Sequence, residues 1–354
     1  MRITSVEYFR LDMPLAQPYT IAYETVDRAS NIILKLNTDK GLTGWGCAAP
    51  DLEITNETPE DVINNIENYV TGILKNQFPF HIDRINHQLM QLCPSASSTL
   101  AMVDISLHDL MARRAKLPLY KLLGGYRDEI PTSITVGILP IKETLEQVAY
   151  YLKKGFNNIK MKGGIHMDED VERVLKVREK FGSDFSIRFD ANQGYHPSEA
   201  IEFIDRTKNA GIEIFEQPTR QKKDEQLGEV TKKTEIPVMA DESVRTLKDA
   251  FKLASKELID LVNIKIMKVG GIMASQHINS VSKAAGIEVM VGCLDECALG
   301  ISAGLHFALS KRNIEYADLD GHLDLLDDPF IDLFHLREGI LYPTDRPGLG
   351  KVNM

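Results

Sequence analysis

The chain has 354 residues, 43% of them hydrophobic and 26% charged, with a formal net charge of −10. That is enough apolar material for one large domain or two, and the acidic balance argues against nucleic acid or an anionic membrane surface as a partner. No apolar run nears the roughly 20 residues of a membrane helix, the first residues lack the basic-then-apolar pattern of a secretion signal, and four scattered cysteines (Cys47, Cys93, Cys293, Cys297) suggest reduced thiols in a cytoplasmic protein.

The first elements read as strands and then helices. "ITSVEYFRL" alternates, and "NIILKLNTDKGLTGWGCA" reads as two strands around a turn at Asp39, Lys40 and Gly41. "TPEDVINNIENYVTGILK" then carries Val62, Ile63, Ile66, Val70 and Ile73 at helical spacing, with Thr58 as N-cap and Pro59 at the first helical position. "ASSTLAMVDISLHDLMARRA" predicts a further helix. Strands and helices in separate blocks indicate an α+β unit over residues 1–125.

From residue 126 the pattern changes. Eight short apolar runs alternate with amphipathic helices: "SITVGI" (133–138), "NIKMK" (158–162), "SIRFD" (186–190), "IEIFE" (212–216), "PVMAD" (237–241), "LVNIK" (261–265), "IEVMVG" (287–292) and "IEYAD" (314–318). Single helices between such runs mean parallel strands, because parallel neighbours need a crossover. Eight at even spacing predict an α/β protein with a closed TIM-type barrel over 126–320, rather than an open doubly wound sheet. The tail, 321–354, shows no unit of this kind and is expected to pack back on the first domain.

Chemistry in such a barrel sits at the C-terminal strand ends. There the third, fourth and fifth runs offer Asp190, Glu216 and Asp241, flanked by Lys162 on the second and Lys265 on the sixth. Three carboxylates facing one spot repel each other unless a hard cation joins them, which predicts one Mg²⁺ per subunit. Strands two and six lie across an eight-strand ring, so the two lysines should face a substrate from opposite sides. Lys160 shares the face of Lys162, and two neighbouring ammonium groups are expected to lower the lysine pKa toward a general base's range. A metal-gripped carboxylate acidifies its α-carbon, so two lysines predict inversion by 1,1-proton transfer through an enediolate. With only one acting lysine, elimination or ring opening would follow instead.

The motifs "KMK" (160–162), "DAN" (190–192), "EQP" (216–218), "ADES" (240–243), "NIKIMKVGG" (263–271) and "LPLYKLLGG" (117–125) resemble those of the enolase superfamily, muconate-lactonizing subgroup. The resemblance covers essentially the whole chain. It implies a modified (β/α)7β barrel under an α+β capping domain made from the N-terminal part and the C-terminal tail. It also implies Asp190, Glu216 and Asp241 as Mg²⁺ ligands, Lys162 and Lys265 as the acid/base pair, Asn192 among the substrate-binding residues, and a homo-oligomer as an option. "DLD" (318–320) is similar to the Asp-x-Asp of the dipeptide epimerases, which implies that Asp318 and Asp320 hold a free α-ammonium group. Members that epimerise Ala-Glu carry an arginine about where Glu24 stands here. Asp51 and Glu53 in the second capping loop, and Asp295 and Glu296 after the seventh run, would therefore favour a cationic side chain. Tyr19, Ile21 and Leu294 would line an apolar pocket instead. Another reaction of the subgroup, such as N-acylamino-acid racemisation, cycloisomerisation or succinylbenzoate synthesis, and a binding barrel without chemistry are the rival readings.

Overall fold

The computed structural model describes residues 1–20 and 25–353, with the side chains of 17–20 and 25 left out. Three strands, β1 (Ile3–Thr20), β2 (Thr25–Thr38) and β3 (Thr43–Ala48), form an antiparallel sheet in that order. The β2–β3 turn closes through Gly41, whose φ of +71° suits glycine. Successive residues of a strand face opposite ways. Ile32, Leu34 and Leu36 pack under the capping helices, whereas Ile33 joins the core continuous with the barrel. Both faces are covered, which explains the unbroken apolar run "NIIL". The helix Ser97–Ala115 lies directly on β3, and a Cβ at Gly46 would sit 2.0 Å from the Met102 carbonyl oxygen.

The helix after Thr58 begins as predicted. Pro59 stands at its start, and Thr58 and Asp61 form a capping box. Its middle turn, Ile66–Val70, is a π turn. Val62, Ile66, Val70 and Leu74 are all fully buried, one every four residues. In an α-helix that spacing drifts by about 40° per step. The wider π turn takes up the drift and keeps all four on one line.

Eight parallel strands follow: β5 (Ile134–Val136), β6 (Asn158–Lys162), β7 (Ser186–Asp190), β8 (Ile212–Glu216), β9 (Val238–Ala240), β10 (Leu261–Lys265), β11 (Glu288–Gly292) and β12 (Ile314–Asp318). They are hydrogen-bonded in chain order. Closure comes just before β5, where the Ser133 amide donates to the Ala317 carbonyl at 3.1 Å. Each of β5 to β11 is followed by a main helix, and β12 is not, so the barrel is of (β/α)7β type. Outward residues such as Ile159, Met161, Phe189 and Phe215 are fully buried beneath the helices. The inner floor is a small apolar plug of Ile214, Met239, Leu261 and Met290 with Tyr316.

The tail returns to the first part of the chain. Between β3 and β5, β4 (Ile130–Pro131) pairs with a hairpin of β13 (Phe334–Arg337) and β14 (Ile340–Pro343). Leu325 bridges to Leu15 on β1. Arg113 on the long capping helix donates to the Gly350 carbonyl at 2.9 Å. Among the described residues no helix is long and apolar enough to cross a membrane.

Candidate active site

Sheet register brings the charged strand ends together. Lys162 lies opposite Asp190, and Asp190 opposite Glu216. On the far side Lys265 lies opposite Gly292, which lies opposite Asp318. Inward-facing residues alternate along each strand, so Lys160 stands one layer below Lys162, beside Asp190 and Glu216. The β6 and β10 lysines are four strands apart in the ring of eight.

Every one of these charges is paired. Lys162 Nζ lies 2.8 Å from Asp190, and Lys265 Nζ lies 2.8 Å from Asp241. Lys160 Nζ sits among three acids, 3.0 Å from Asp190 and 2.8 Å from both Glu216 and Asp318. This corrects the expected environment of Lys160. Burial alone would lower its pKa, but Asp318, Glu216 and Asp190 outweigh burial and hold it well above an ordinary lysine. Its Nζ reaches up to the strand-end acids of β7, β8 and β12, one layer above its own backbone position, so Lys160 sits as a cation among carboxylates. Lys265 is likewise held up, by Asp241, against burial.

Several residues without a predicted role complete the cluster. Lys268, on the turn after β10, binds Asp241 at 2.6 Å. Asn263 Nδ2 donates to Glu216 Oε1 at 2.7 Å and fixes that carboxylate. Gln217 Oε1 accepts from the Asp241 and Ser243 amides and shapes the end of β9. Glu242 is buried beside the trio, and burial followed by Asp241 and Asp190 pushes its carboxyl up to about 8. Lys268 stands inside the quoted "NIKIMKVGG" and Glu242 inside "ADES". Their proximity to the trio depends on turns that periodicity does not reveal.

Among the described residues no three His, Cys, Asp or Glu side chains stand ready as a cation cage, because lysines occupy the space between the acids. The acids nevertheless fit a divalent ion. Glu216 Oε2 and Asp241 Oδ2 are buried, and each faces a lysine ammonium at 2.8 Å, Lys160 and Lys265 respectively, so both oxygens already hold a positive charge at the spot where the acids converge. Burial, then Asp190, pushes Glu216 up to about 7 against the opposing charge of Lys160, so a further cation beside it would favour the carboxylate form. An all-oxygen donor set suits a hard cation such as Mg²⁺.

A cleft of about 1140 Å³ opens over the cluster. Its lining includes Asp51 and Ile54 from the cap, Leu294 and Asp295 from the loop after β11, Thr135, Asp318 and Asp320 from β5 and the end of β12, and Asn192. Asp51 Oδ1 accepts from the Ile54 amide at 2.8 Å. The two remaining acids expected beside Asp51 and Asp295 do not line this cleft, though Glu53 lines an adjoining one that shares Asp51, Leu294 and Asp295. Glu53 is exposed, and only its backbone carbonyl is engaged, by Arg245. Glu296 turns inward, where Oε1 accepts from the Leu294 amide at 2.9 Å. The side chain of Tyr19, and residues Ile21 and Glu24, lie outside the described residues.

The two acids of "DLD" differ. Asp318 is held down to about 2, because Lys160 and the Ser133 hydroxyl (2.6 Å) outweigh its burial. Asp320 accepts from Thr135, whose amide lies 2.7 Å from Oδ2. Burial followed by Asp318 pushes it up to about 7. Asp320 is thus the member of the pair that lacks a cation of its own.

An eight-strand parallel barrel under an antiparallel cap, with three strand-end acids between two opposed lysines, defines a barrel enzyme built to move protons at a carbon beside a carboxylate. The chain belongs to the enolase superfamily. Residues 3–124 match the family described as mandelate racemase / muconate lactonizing enzyme, N-terminal domain, and residues 143–352 match the enolase C-terminal domain-like family. An L-Lys-D/L-Arg epimerase of Desulforapulum autotrophicum is 37% identical over 99% of both chains. The L-Ala-D/L-Glu epimerase of Bacillus subtilis is also 37% identical, and its substrate-liganded structure superposes with a TM-score of 0.97 over 99% of this chain and 98% of that one. A dipeptide epimerase of Enterococcus faecalis, solved with Mg and L-Leu-L-Tyr, is 35% identical with a TM-score of 0.95 over 99% of each chain.

Proposed function

We propose that the protein is a Mg²⁺-dependent dipeptide epimerase that inverts the α-carbon of the C-terminal residue. The observation that carries this reading is the opposition of Lys162 and Lys265 across the barrel, each ion-paired to a member of the acid trio. Asp190, Glu216 and Asp241 would hold the Mg²⁺. When bound, the ion supplies fixed positive charge beside the substrate carboxylate and so favours loss of the neighbouring proton. Lys160 adds a buried positive charge at the floor. One of Lys162 and Lys265, as the neutral amine, takes the α-proton from its face. The other, as the ammonium, returns a proton from the opposite face, and the centre is inverted. Asp320, with Asp318 behind it, receives the free ammonium of the N-terminal residue.

The side chain of the epimerised residue points toward Asp51, Ile54, Leu294 and Asp295. Acids and aliphatic groups there support cationic or hydrophobic dipeptides over Ala-Glu. All four cysteines are free thiols, which supports a cytoplasmic location. The test is incubation of a dipeptide library in D₂O, with and without Mg²⁺, followed by mass spectrometry and chiral separation. Mg²⁺-dependent uptake of one deuterium with inversion is expected for cationic or apolar members. Turnover confined to Ala-Glu would overturn the specificity, and no exchange with any dipeptide would overturn the reaction.

A further inference from the structure

Lys162 is the last residue of β6, and the loop beyond it is unusually constrained. Gly163 leaves no room for a side chain, since a Cβ there would meet the Phe189 ring at 2.2 Å and the Asp170 carboxylate at 2.7 Å. Gly164 has a φ of +102°, and its Cβ would stand 2.1 Å from the Ala191 carbonyl oxygen. Two buried charges from the helix Met167–Phe181 grip this loop. Arg173 Nη2 donates to the backbone carbonyl of Lys162 itself at 2.7 Å. The same guanidinium pairs with Asp170 Oδ1, and Asp170 Oδ2 accepts from the Gly164 amide at 2.8 Å and the Tyr195 hydroxyl at 2.5 Å. Arg173 and Asp170 are each only 2% exposed, and Tyr195 is 5% exposed. A buried ion pair is weak support for stability by itself and often serves geometry instead.

We infer that Asp170, Arg173 and Tyr195 are positioning residues for Lys162, and that they govern proton transfer at one face of the substrate only. The inference rests on the two-base reading above. The clamp holds the carbonyl of one lysine and, among the described residues, makes no hydrogen bond or ion pair with β10, where Lys265 sits. Relaxing it shifts the Lys162 backbone, and a misplacement of about 1 Å near reacting atoms costs on the order of 100-fold in rate. A merely structural staple would weaken both directions alike.

The test measures α-proton exchange into D₂O separately for each epimer of a turned-over dipeptide, with Mg²⁺ half-saturation recorded alongside. Lys162→Ala and Lys265→Ala first assign one epimer to each lysine. Tyr195→Phe removes a single hydrogen bond and leaves the ion pair intact. Arg173→Lys keeps a charge for Asp170 but loses the guanidinium Nη2, which alone reaches both the Asp170 carboxylate and the Lys162 carbonyl. Both variants are expected to slow exchange by about 10-fold for the epimer that Lys162→Ala silences, and by under about 2-fold for the other, with unchanged Mg²⁺ dependence. Equal losses for both epimers, or none in either variant, would overturn the clamp. A wild-type protein that exchanges neither epimer would overturn the epimerase reading and the clamp with it.

Discussion

Asp320→Asn separates a free-amine substrate from an acylated one. The amide keeps an oxygen to accept from the Thr135 amide, so the loop geometry survives while the negative charge goes. Asp318 is already satisfied by Lys160 and Ser133, so it is poorly placed to compensate. A charge-assisted hydrogen bond contributes about 1.5–3 kcal/mol, and truncating one partner of a buried pair costs about 2–5 kcal/mol. Asp320 is partly exposed, which puts the loss near about 2–3 kcal/mol, or roughly 30- to 150-fold in kcat/KM. The pH profile gives a second readout. Burial and Asp318 push Asp320 up to about 7. Its charge is therefore present above that pH and lost as the pH falls through it. Wild-type kcat/KM for a dipeptide should show an acid limb near about 7 that Asp320→Asn removes. The assay is deuterium exchange on a dipeptide and on its N-acetyl derivative. An equal loss on both substrates would refute the assignment of Asp320 to the ammonium and favour an N-acyl substrate.

Asp241→Asn should abolish exchange, lowering it by about 1000-fold or more, and should also cost the Mg²⁺-free protein about 3 kcal/mol, because Lys265 and Lys268 lose their shared buried carboxylate; an unchanged urea midpoint would contradict this. Asp51→Asn retains an acceptor for the Ile54 amide, so it should lower kcat/KM about 5-fold for a dipeptide ending in lysine or arginine and leave one ending in leucine within about 2-fold. Gly46→Ala forces a methyl against the Met102 carbonyl, so thermal melting should report a loss of about 3 kcal/mol or no folded protein.

The barrel was legible because eight short strand-like runs recur at even spacing with one amphipathic helix between each pair. "NIKMK", "SIRFD", "IEIFE", "LVNIK" and "IEYAD" coincide with β6, β7, β8, β10 and β12. The meeting of Asp190, Glu216, Asp241, Lys162 and Lys265 followed from strand order alone. What depended on the third dimension was hidden. The state of Lys160 turns on the acids at the ends of β7, β8 and β12 that its side chain reaches, and no local window contains them. Glu296 follows Asp295 directly in sequence yet turns inward to the Leu294 amide, because neighbouring loop residues point in different directions. The pairing of β14 with β4 joins segments some 200 residues apart and leaves no periodic trace. The π turn at Ile66–Val70 was hidden in a pattern that an ordinary helix nearly fits.

Asp104 offers a test of how the cap holds the barrel. It stands on the capping helix Ser97–Ala115, fully buried, and its Oδ2 accepts from the Ile272 amide at 2.6 Å and the Met273 amide at 3.3 Å. It therefore caps the barrel helix Ile272–Ala284, which follows the strand and turn that carry Lys265 and Lys268. His108, one turn further along, lies 3.3 Å from the same carboxylate oxygen. Burial would lower His108, but Asp104 outweighs it and raises the imidazole above its ordinary value. Burial would raise Asp104, but His108 outweighs it and lowers the carboxyl. The stabilisation from His108 is therefore complete below the ordinary histidine pKa and lost as pH rises through the raised folded value. That from Asp104 is present above the ordinary aspartate pKa and lost as pH falls through the depressed one. The pair thus contributes most between about pH 4 and pH 6.5. His108→Gln leaves Asp104 bonded to Asn86 and both amides, so it should cost about 2 kcal/mol near pH 5.5 and progressively less toward alkaline pH. Urea midpoints of wild type and variant across that range provide the check. A gap that stays constant, or widens as pH rises, would mean that His108 is neutral in the folded protein and that the cap grips the barrel through the Asp104 amide contacts alone.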